Sequence, residues 1–282
     1  MTAWQQPSEI VLQSKPPSLS KVDPESTILP DKRAYRERLR KWQKRMLAVQ
    51  QAYYHQNRRV MLVFEGWDAS GKGGAIRRIT EKLDPRGFRV FPIAAPRIEE
   101  HGRHYLYRFQ RRIPTPGKFS IFDRSYYGRV LVERVEGYAS EPQWQRAYQE
   151  INEFERLLID DGVRIVKFFL HMTPEEQLNR FLQRLQDPVK QWKLTEEDIR
   201  NRQKWSDYVL AIEDMFQRTS TDAAPWHLIA SNHKWYTRVE VLKTLVKELS
   251  KGVDIAPPPL DPGVIKAARR HLGIDSEVLD AL

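Results

Sequence analysis

The chain has 282 residues, room for one large domain with appendages, and its 47 Lys and Arg against 37 Asp and Glu leave a formal charge of +10, which points to an anionic partner of unspecified kind. It has no cysteine, which excludes a disulfide scaffold, a thiolate nucleophile and a Cys-ligated metal, so its chemistry must come from oxygen and nitrogen groups. No apolar run approaches the roughly 18 residues of a membrane span, and the opening MTAWQQPSEI lacks the features of a signal peptide, so a cytoplasmic protein that does not insert in membranes is expected.

Residues 1–33 carry Pro and Ser without periodicity and read as an extended arm. From Ala34 the apolar positions Tyr35, Leu39, Trp42, Met46, Val49 and Tyr53 recur at helical spacing. Nine Lys or Arg stand between Arg33 and Arg59 against the single acid Glu37. Such a face is either solvated surface or a polyanion contact. The chain then alternates. Strands are expected at Arg59–Glu65, Arg89–Ile93, Phe119–Phe122, Val163–Leu170 and Trp226–Ile229, with helical stretches near 74–83, 101–112, 125–136, 141–160, 174–217 and 235–250. This alternation predicts an α/β fold, a parallel sheet of about five strands flanked by helices. The long polar 174–217 segment reads as a helical-hairpin lid, and residues 253–282 as a tail with a short helix, Pro262–Leu272. The catalytic domain is thus expected at 34–252.

Gly66-Trp67-Asp68-Ala69-Ser70-Gly71-Lys72-Gly73-Gly74 has the spacing of a phosphate-binding loop, directly after a strand and before a helix. Glycines let successive amides converge on phosphate oxygens, the helix offers its positive end, and Lys72 adds a full charge. The alternative is a tight connection and nothing more. Gly73 stands where an ordinary loop carries the Ser or Thr that holds Mg²⁺. Asp68, inside the loop, and Asp123, at the end of the third strand, are the candidate ligands, since Mg²⁺ takes hard oxygens. Asp68 as a turn former and Asp123 as a helix cap are the plainer alternatives. Arg124 follows at once, and between residues 97 and 134 nine cations, Arg129 among them, face four acids. A guanidinium suits phosphate because it donates in two directions. In the hairpin, Arg180 and Arg184 lie four apart, followed by Lys190 and Lys193; Arg184 is expected to reach a phosphate.

GWDASGKGG, FDRSYYGRVLVERVEG, RLQDPVKQWKL and TSTDAAPWHLI, in that order, resemble the polyphosphate kinase 2 family over roughly 34–252. The resemblance implies a P-loop-kinase-like sheet with a helical lid, and phosphoryl transfer between inorganic polyphosphate and a nucleotide. Carried over by position, it implies that Asp68 and Asp123 hold Mg²⁺, that Lys72 and Arg124 bind the phosphates in flight, and that Arg184 closes from the lid. Gly66, Ala69, Ser70, Gly71, Gly73, Gly74, Arg129 and Lys193 complete the implied phosphate and nucleotide contacts. The glycine after the loop lysine is usual in that family. The loop and DRSYYGRV segments look most similar to its AMP-phosphorylating members, with AMP or ADP, and guanine analogues beside them, as acceptors. Aspartate at 123, not asparagine, argues against the members that perform both steps. Homodimers or homotetramers are implied too. Two rival readings are an ATP-dependent kinase of the thymidylate-kinase-like type and a basic nucleic-acid-binding protein with a vestigial loop. The second is disfavoured because no nucleic-acid module is present, and neither nucleic acid nor membrane is expected as a partner.

Overall fold

Asp31 starts α1 (Lys32–His55) by accepting the Ala34 N–H at 2.8 Å. Tyr35, Leu39, Met46, Val49 and Tyr53 are buried along its stripe, while Arg36, Arg38, Arg40, Lys41, Lys44 and Arg45 stay in water. The structure, a computed structural model, describes residues 6–26 and 29–272. Of the expected arm and tail, residues 1–5, 27–28 and 273–282 lie outside the described residues.

Five strands follow: β1 (Arg59–Gly66), β2 (Phe88–Pro92), β3 (Phe119–Asp123), β4 (Val163–His171) and β5 (Trp226–Ala230). All pair in parallel, in the order β2-β3-β1-β4-β5, so the fold is α/β as the alternation implies. β1 is central and buried on both faces, with successive side chains entering different cores. Val60, Leu62 and Phe64 pack under α1, α2 (Lys72–Thr80) and α9 (Lys234–Ser250). Met61 and Val63 pack under α5 (Glu141–Asp160) and α8 (Trp205–Thr219). Register brings Phe64 beside Asp123 and Gly66 beside Leu170, which sets the carboxyl ends of β1, β3 and β4 at one edge.

The expected helices near 101–112 and 125–136 are shorter than their patterns. Only α3 (Tyr107–Gln110) forms in the first, after Gly102 takes a left-handed turn with φ +72°. The second divides into a 3₁₀ turn, Tyr126–Arg129, and α4 (Val132–Val135), because Leu131 leaves helical geometry. The 174–217 stretch contains α6 (Pro174–Gln186), α7 (Glu196–Gln203) and the start of α8. Pro188 follows the end of α6, and Lys204 breaks the path between α7 and α8. Tyr208, Ala211, Ile212, Met215 and Phe216 bury α8 in the core, so the covering part is α6 and α7 alone. The N-terminal segment lies across the α5/α8 side: Leu12 bridges Thr221, Ser18 and Leu19 donate to Glu213, and Leu19 is buried. Residues 262–272 form α10, which buries no side chain.

Under the sheet edge lies a buried ionic knot. Lys167 Nζ donates to Glu155 Oε2 at 2.7 Å and to the Thr219 carbonyl at 2.8 Å. Glu155 Oε1 accepts from the hydroxyls of both Tyr126 and Tyr127, each at 2.8 Å. Burial pushes the Lys167 pKa down while Glu155 opposes it. Removing one partner strands a charge in the core, so Glu155→Ala is expected to cost about 3–5 kcal/mol. Replacing Glu155 and Lys167 together by Leu and Met should cost less. Urea denaturation of both variants checks the order.

Candidate active site

The loop 66–74 turns at the carboxyl end of β1. Gly66 has φ +141°, and a Cβ there would lie 2.6 Å from the Leu170 carbonyl oxygen, so no side chain fits where β1 presses on β4. Gly71 caps α2 with φ +104°. Ala69 adopts φ +63° and Arg124 φ +64°, so a left-handed residue stands on each side of the edge. The first amides of α2 point out with no acceptor in their own helix. The hydroxyl of Ser70 is buried and, among the described residues, has no hydrogen-bond partner. A phosphate oxygen is the acceptor such a cradle is built to receive.

Charge is concentrated around the lysine. Lys72 Nζ donates to the carbonyls of Gly66 at 2.7 Å and Trp67 at 3.1 Å. Burial lowers its pKa; Asp68 opposes that, Arg124 adds to it, and Asp123 opposes it. Arg124 Nη2 donates to Asp68 Oδ1 at 2.8 Å, and Asn201 Nδ2 donates to Asp68 Oδ2 at 2.9 Å. Burial alone would raise the Asp68 pKa, but Lys72, Arg124 and these two hydrogen bonds hold it below the ordinary carboxylate value. Beneath them Glu65 is buried and accepts from Ser125 Oγ at 2.7 Å; burial raises its pKa.

The donor set fits a hard divalent cation. Asp68 and Asp123 both act on Lys72, and Asp123 Oδ2 is 3.6 Å from where a Cβ on Gly73 would stand. That carboxylate lies beside the place where an ordinary loop carries its hydroxyl side chain. Among the described residues no three His, Asp or Glu gather as a closed metal site. An ion here would depend on phosphate and water for its remaining ligands.

Two unlike spaces flank the loop. On the α8 side is a cavity of about 850 Å³ between the edge of the sheet, the 93–109 segment, the turn after β3 and α7–α8. Its charges balance: Arg103, Arg108, Arg124, Arg129 and Arg202 face Glu65, Asp68, Glu100, Glu133 and Glu197. Tyr105, Tyr138, Tyr208, Phe109 and Ile212 give it broad apolar surface. On the α2/α9 side, Arg180 Nη1 and Arg238 Nη2 come within 3.8 and 3.7 Å of the Cβ positions of Gly71 and Gly74. Burial lowers the Lys234 pKa there, and the charges of Arg180, Arg238 and Lys190 add to that while Glu176 opposes it. Arg180 Nε is itself paired with Glu176 Oε1 at 2.6 Å and Lys190 with Asp187, while among the described residues no ion pair engages Lys234 or Arg238, so a modest excess of positive charge stands on this side.

The structure brings Gly66, Asp68, Ala69, Ser70, Gly71, Lys72, Gly73, Gly74, Asp123 and Arg124 into one constellation. Arg129 lines the cavity and pairs with Glu133 at 3.0 Å. Arg184 and Lys193 stand apart from it. Arg184 Nη1 donates to the Lys193 carbonyl at 2.9 Å, and the Lys193 ammonium lies over the Trp192 ring. The lid cation that meets the loop is Arg180, one turn earlier and buried, which donates to the Ala69, Ser231 and Asn232 carbonyls at 2.9, 2.6 and 2.8 Å. Periodicity put both arginines on one stripe but could not choose between them. Gln177, Asn201 and Trp205 carried no motif at all. Gln177 Nε2 donates to the Asp68 carbonyl at 3.1 Å, and the Trp205 ring stacks on Trp67 with centroids 3.6 Å apart.

The family model for polyphosphate kinase 2 (PPK2) matches residues 30–255. A polyphosphate:AMP phosphotransferase of Pseudomonas syringae pv. tomato is 56% identical over 192 residues, covering 68% of this chain and 39% of that one. An ADP-polyphosphate phosphotransferase 2 of Rhizobium meliloti is 38% identical over 241 residues, 86% of this chain and 75% of that one. The chain spans less than half the length of the polyphosphate:AMP phosphotransferases it matches. Among solved structures, polyphosphate kinase 2 from Arthrobacter aurescens TC1 superposes with a TM-score of 0.83 at 33% identity, covering 94% of this chain and 97% of that one.

His171, at the end of β4, accepts the Trp67 Nε1–H on Nδ1 at 3.1 Å, so that nitrogen carries no proton. Burial lowers its pKa from 6.5 to about 4. The unfolded chain therefore takes up the proton first, and the stability the neutral ring supplies is present above pH 6.5 and lost as pH falls toward about 4. His171→Gln, whose amide oxygen accepts the same bond without titrating, is expected to lose less stability across that window. Urea denaturation at both ends of it is the check.

Proposed function

Because the chain belongs to the polyphosphate kinase 2 family, we propose that it moves a phosphoryl group between inorganic polyphosphate and AMP, giving ADP, in either direction, with ADP, giving ATP, as the alternative acceptor. The observation that carries this reading is the asymmetry across the loop. The balanced, aromatic-walled cavity on the α8 side suits a nucleotide, whose base and sugar need contact surface and whose phosphate needs only a few cations. Lys234 and Arg238 on the α2/α9 side, which no acid pairs among the described residues, suit a polymer with about one charge per phosphate. Asp68, Lys72 and Arg124 lie at the boundary. The higher identity of the AMP-named relative over the ADP-named one favours AMP as first acceptor.

In the reaction a phosphate oxygen of the nucleotide attacks the terminal phosphorus of the polymer, and the bridging P–O bond breaks to leave a polymer one unit shorter. The attacking oxygen is already anionic, so no strong base is required. Lys72 and Arg124 neutralise charge as the phosphoryl group becomes metaphosphate-like. The loop amides and the Ser70 hydroxyl orient its oxygens, and α6 and α7 cover the edge against water. Asp68 and Asp123 would hold Mg²⁺, which when bound would supply positive charge to offset that of the transferred phosphoryl group. Guanine analogues as further acceptors, assembly as a homodimer or homotetramer, and a cytoplasmic setting belong to the same proposal. Among the described residues no helix is long and apolar enough to cross a membrane.

A matrix of AMP, ADP, GMP and GDP against polyphosphate or ATP as donor, with Mg²⁺, tests the reading. ADP formed from AMP and polyphosphate is expected. ADP formed with ATP but not with polyphosphate would sink it and favour the thymidylate-kinase-like alternative. Lys72→Ala is expected to lower kcat about a hundredfold or more. Added salt should raise the polyphosphate KM far more steeply than the AMP KM, because many phosphates are screened together.

A further inference from the structure

Beside the α6 contacts of Gln177 and Arg180, the lid meets the body through one face of α7 and its junction with α8. Arg200 Nε and Lys204 Nζ both donate to Glu136 Oε2, at 2.9 and 3.1 Å, and Lys204 also reaches the Val135 carbonyl at 3.2 Å. The Glu136 side chain is only 3% exposed, whereas Arg200 and Lys204 stay 44% and 36% exposed, so the pairing is anchored on its acid and open to water at its cations. The Trp205 ring lies on Trp67 at an interplanar angle of 5°. These contacts hold the lid down.

Asn201 does something else. Its Nδ2 donates to Asp68 Oδ2 at 2.9 Å, while its Oδ1 accepts from the Tyr208 hydroxyl at 3.1 Å. A carboxylate only accepts, so the amide's orientation is set by its two partners. Asp68 is thereby gripped from two sides: Oδ1 by Arg124 from the sheet edge, Oδ2 by Asn201 from the lid. Of the docking residues on this face, Asn201 is the one whose side chain reaches a carboxylate of the phosphoryl-transfer constellation.

Resting on the functional reading above, we infer that Asn201 is a positioning residue for the transfer, acting through Asp68 so that the loop carboxylate is held in its working orientation only while the lid is closed. Docking and chemistry are then coupled through one side-chain amide, and a phosphoryl group is transferred when water is shut out rather than before. Lid residues that only dock affect binding; Asn201 affects the step after it.

The test compares Asn201→Ala, Asn201→Asp and Lys204→Ala with the wild type, measuring kcat, KM for polyphosphate and AMP, orthophosphate released per nucleotide product, and the near-ultraviolet circular dichroism of the stacked tryptophans. Asn201→Ala is expected to lower kcat about tenfold or more with KM values within about twofold, and to raise orthophosphate release, with the tryptophan signal retained. Asn201→Asp, which sets a like charge against Asp68, should fall further. Lys204→Ala, which loosens docking without touching Asp68, should raise KM more than it lowers kcat. An Asn201→Ala kcat within about twofold of the wild type overturns the inference. So does a Lys204→Ala profile that matches that of Asn201→Ala, because docking alone would then explain both. A wild-type chain inactive with every acceptor defeats the functional reading and this inference together; an active wild type with an unaffected Asn201→Ala defeats this inference alone.

Discussion

Everything at the sheet edge is arranged around a buried ammonium group. Lys72 would be costly where it sits were it not for two loop carbonyls that accept its protons and two carboxylates that balance its charge. Those carboxylates come from different strands. Asp68 follows β1 and Asp123 ends β3, and they meet because the parallel register sets Phe64 beside Asp123. A shift of one residue would turn Asp123 to the other face and leave Lys72 without that partner. The chemistry of the site is in this sense a property of strand pairing.

That edge needs support from below. Arg124 is held in a left-handed conformation, and the chain that continues from it is anchored by Ser125 on Glu65 and by two tyrosine hydroxyls on Glu155. Glu155 in turn is neutralised by Lys167 on β4. A buried network of this kind contributes little net stability compared with an apolar core, but every member is directional. It fixes where the backbone of the Arg124 turn lies, which side-chain packing by itself would leave looser. Trp67 joins the loop to His171 and, through its stack on Trp205, to the start of α8 where the lid ends, so the loop, the sheet and the base of the lid form one connected unit.

The two faces of the sheet carry unlike helices, and this has functional weight. The α5/α8 side is rich in aromatic residues and encloses the balanced cavity; the α2/α9 side presents cations near the start of α2. A two-substrate transfer needs its partners to approach the same phosphorus from opposite directions. A central parallel sheet with a loop at its edge leaves both approaches open.

Much of this was legible in the amino-acid sequence. Alternating apolar runs and helical stripes determined the five strands and the α/β class, because the inner strands β1, β3 and β4 are buried on both faces. The meeting of the loop glycines, Lys72, Asp123 and Arg124 at one edge was readable because it follows from backbone freedom and from position beside a strand end. What only the tertiary structure decided was which distant side chains complete the site. Arg180 rather than Arg184 reaches the loop, the breaks after α6 and after α7 leave α8 in the core, and Asn201 arrives on Asp68 from 133 residues away. Periodicity records which face of a helix is apolar, but not how far the helix is rotated or tilted over its neighbour. A hydrogen bond between remote residues depends on that placement to within an ångström, and no local pattern encodes it.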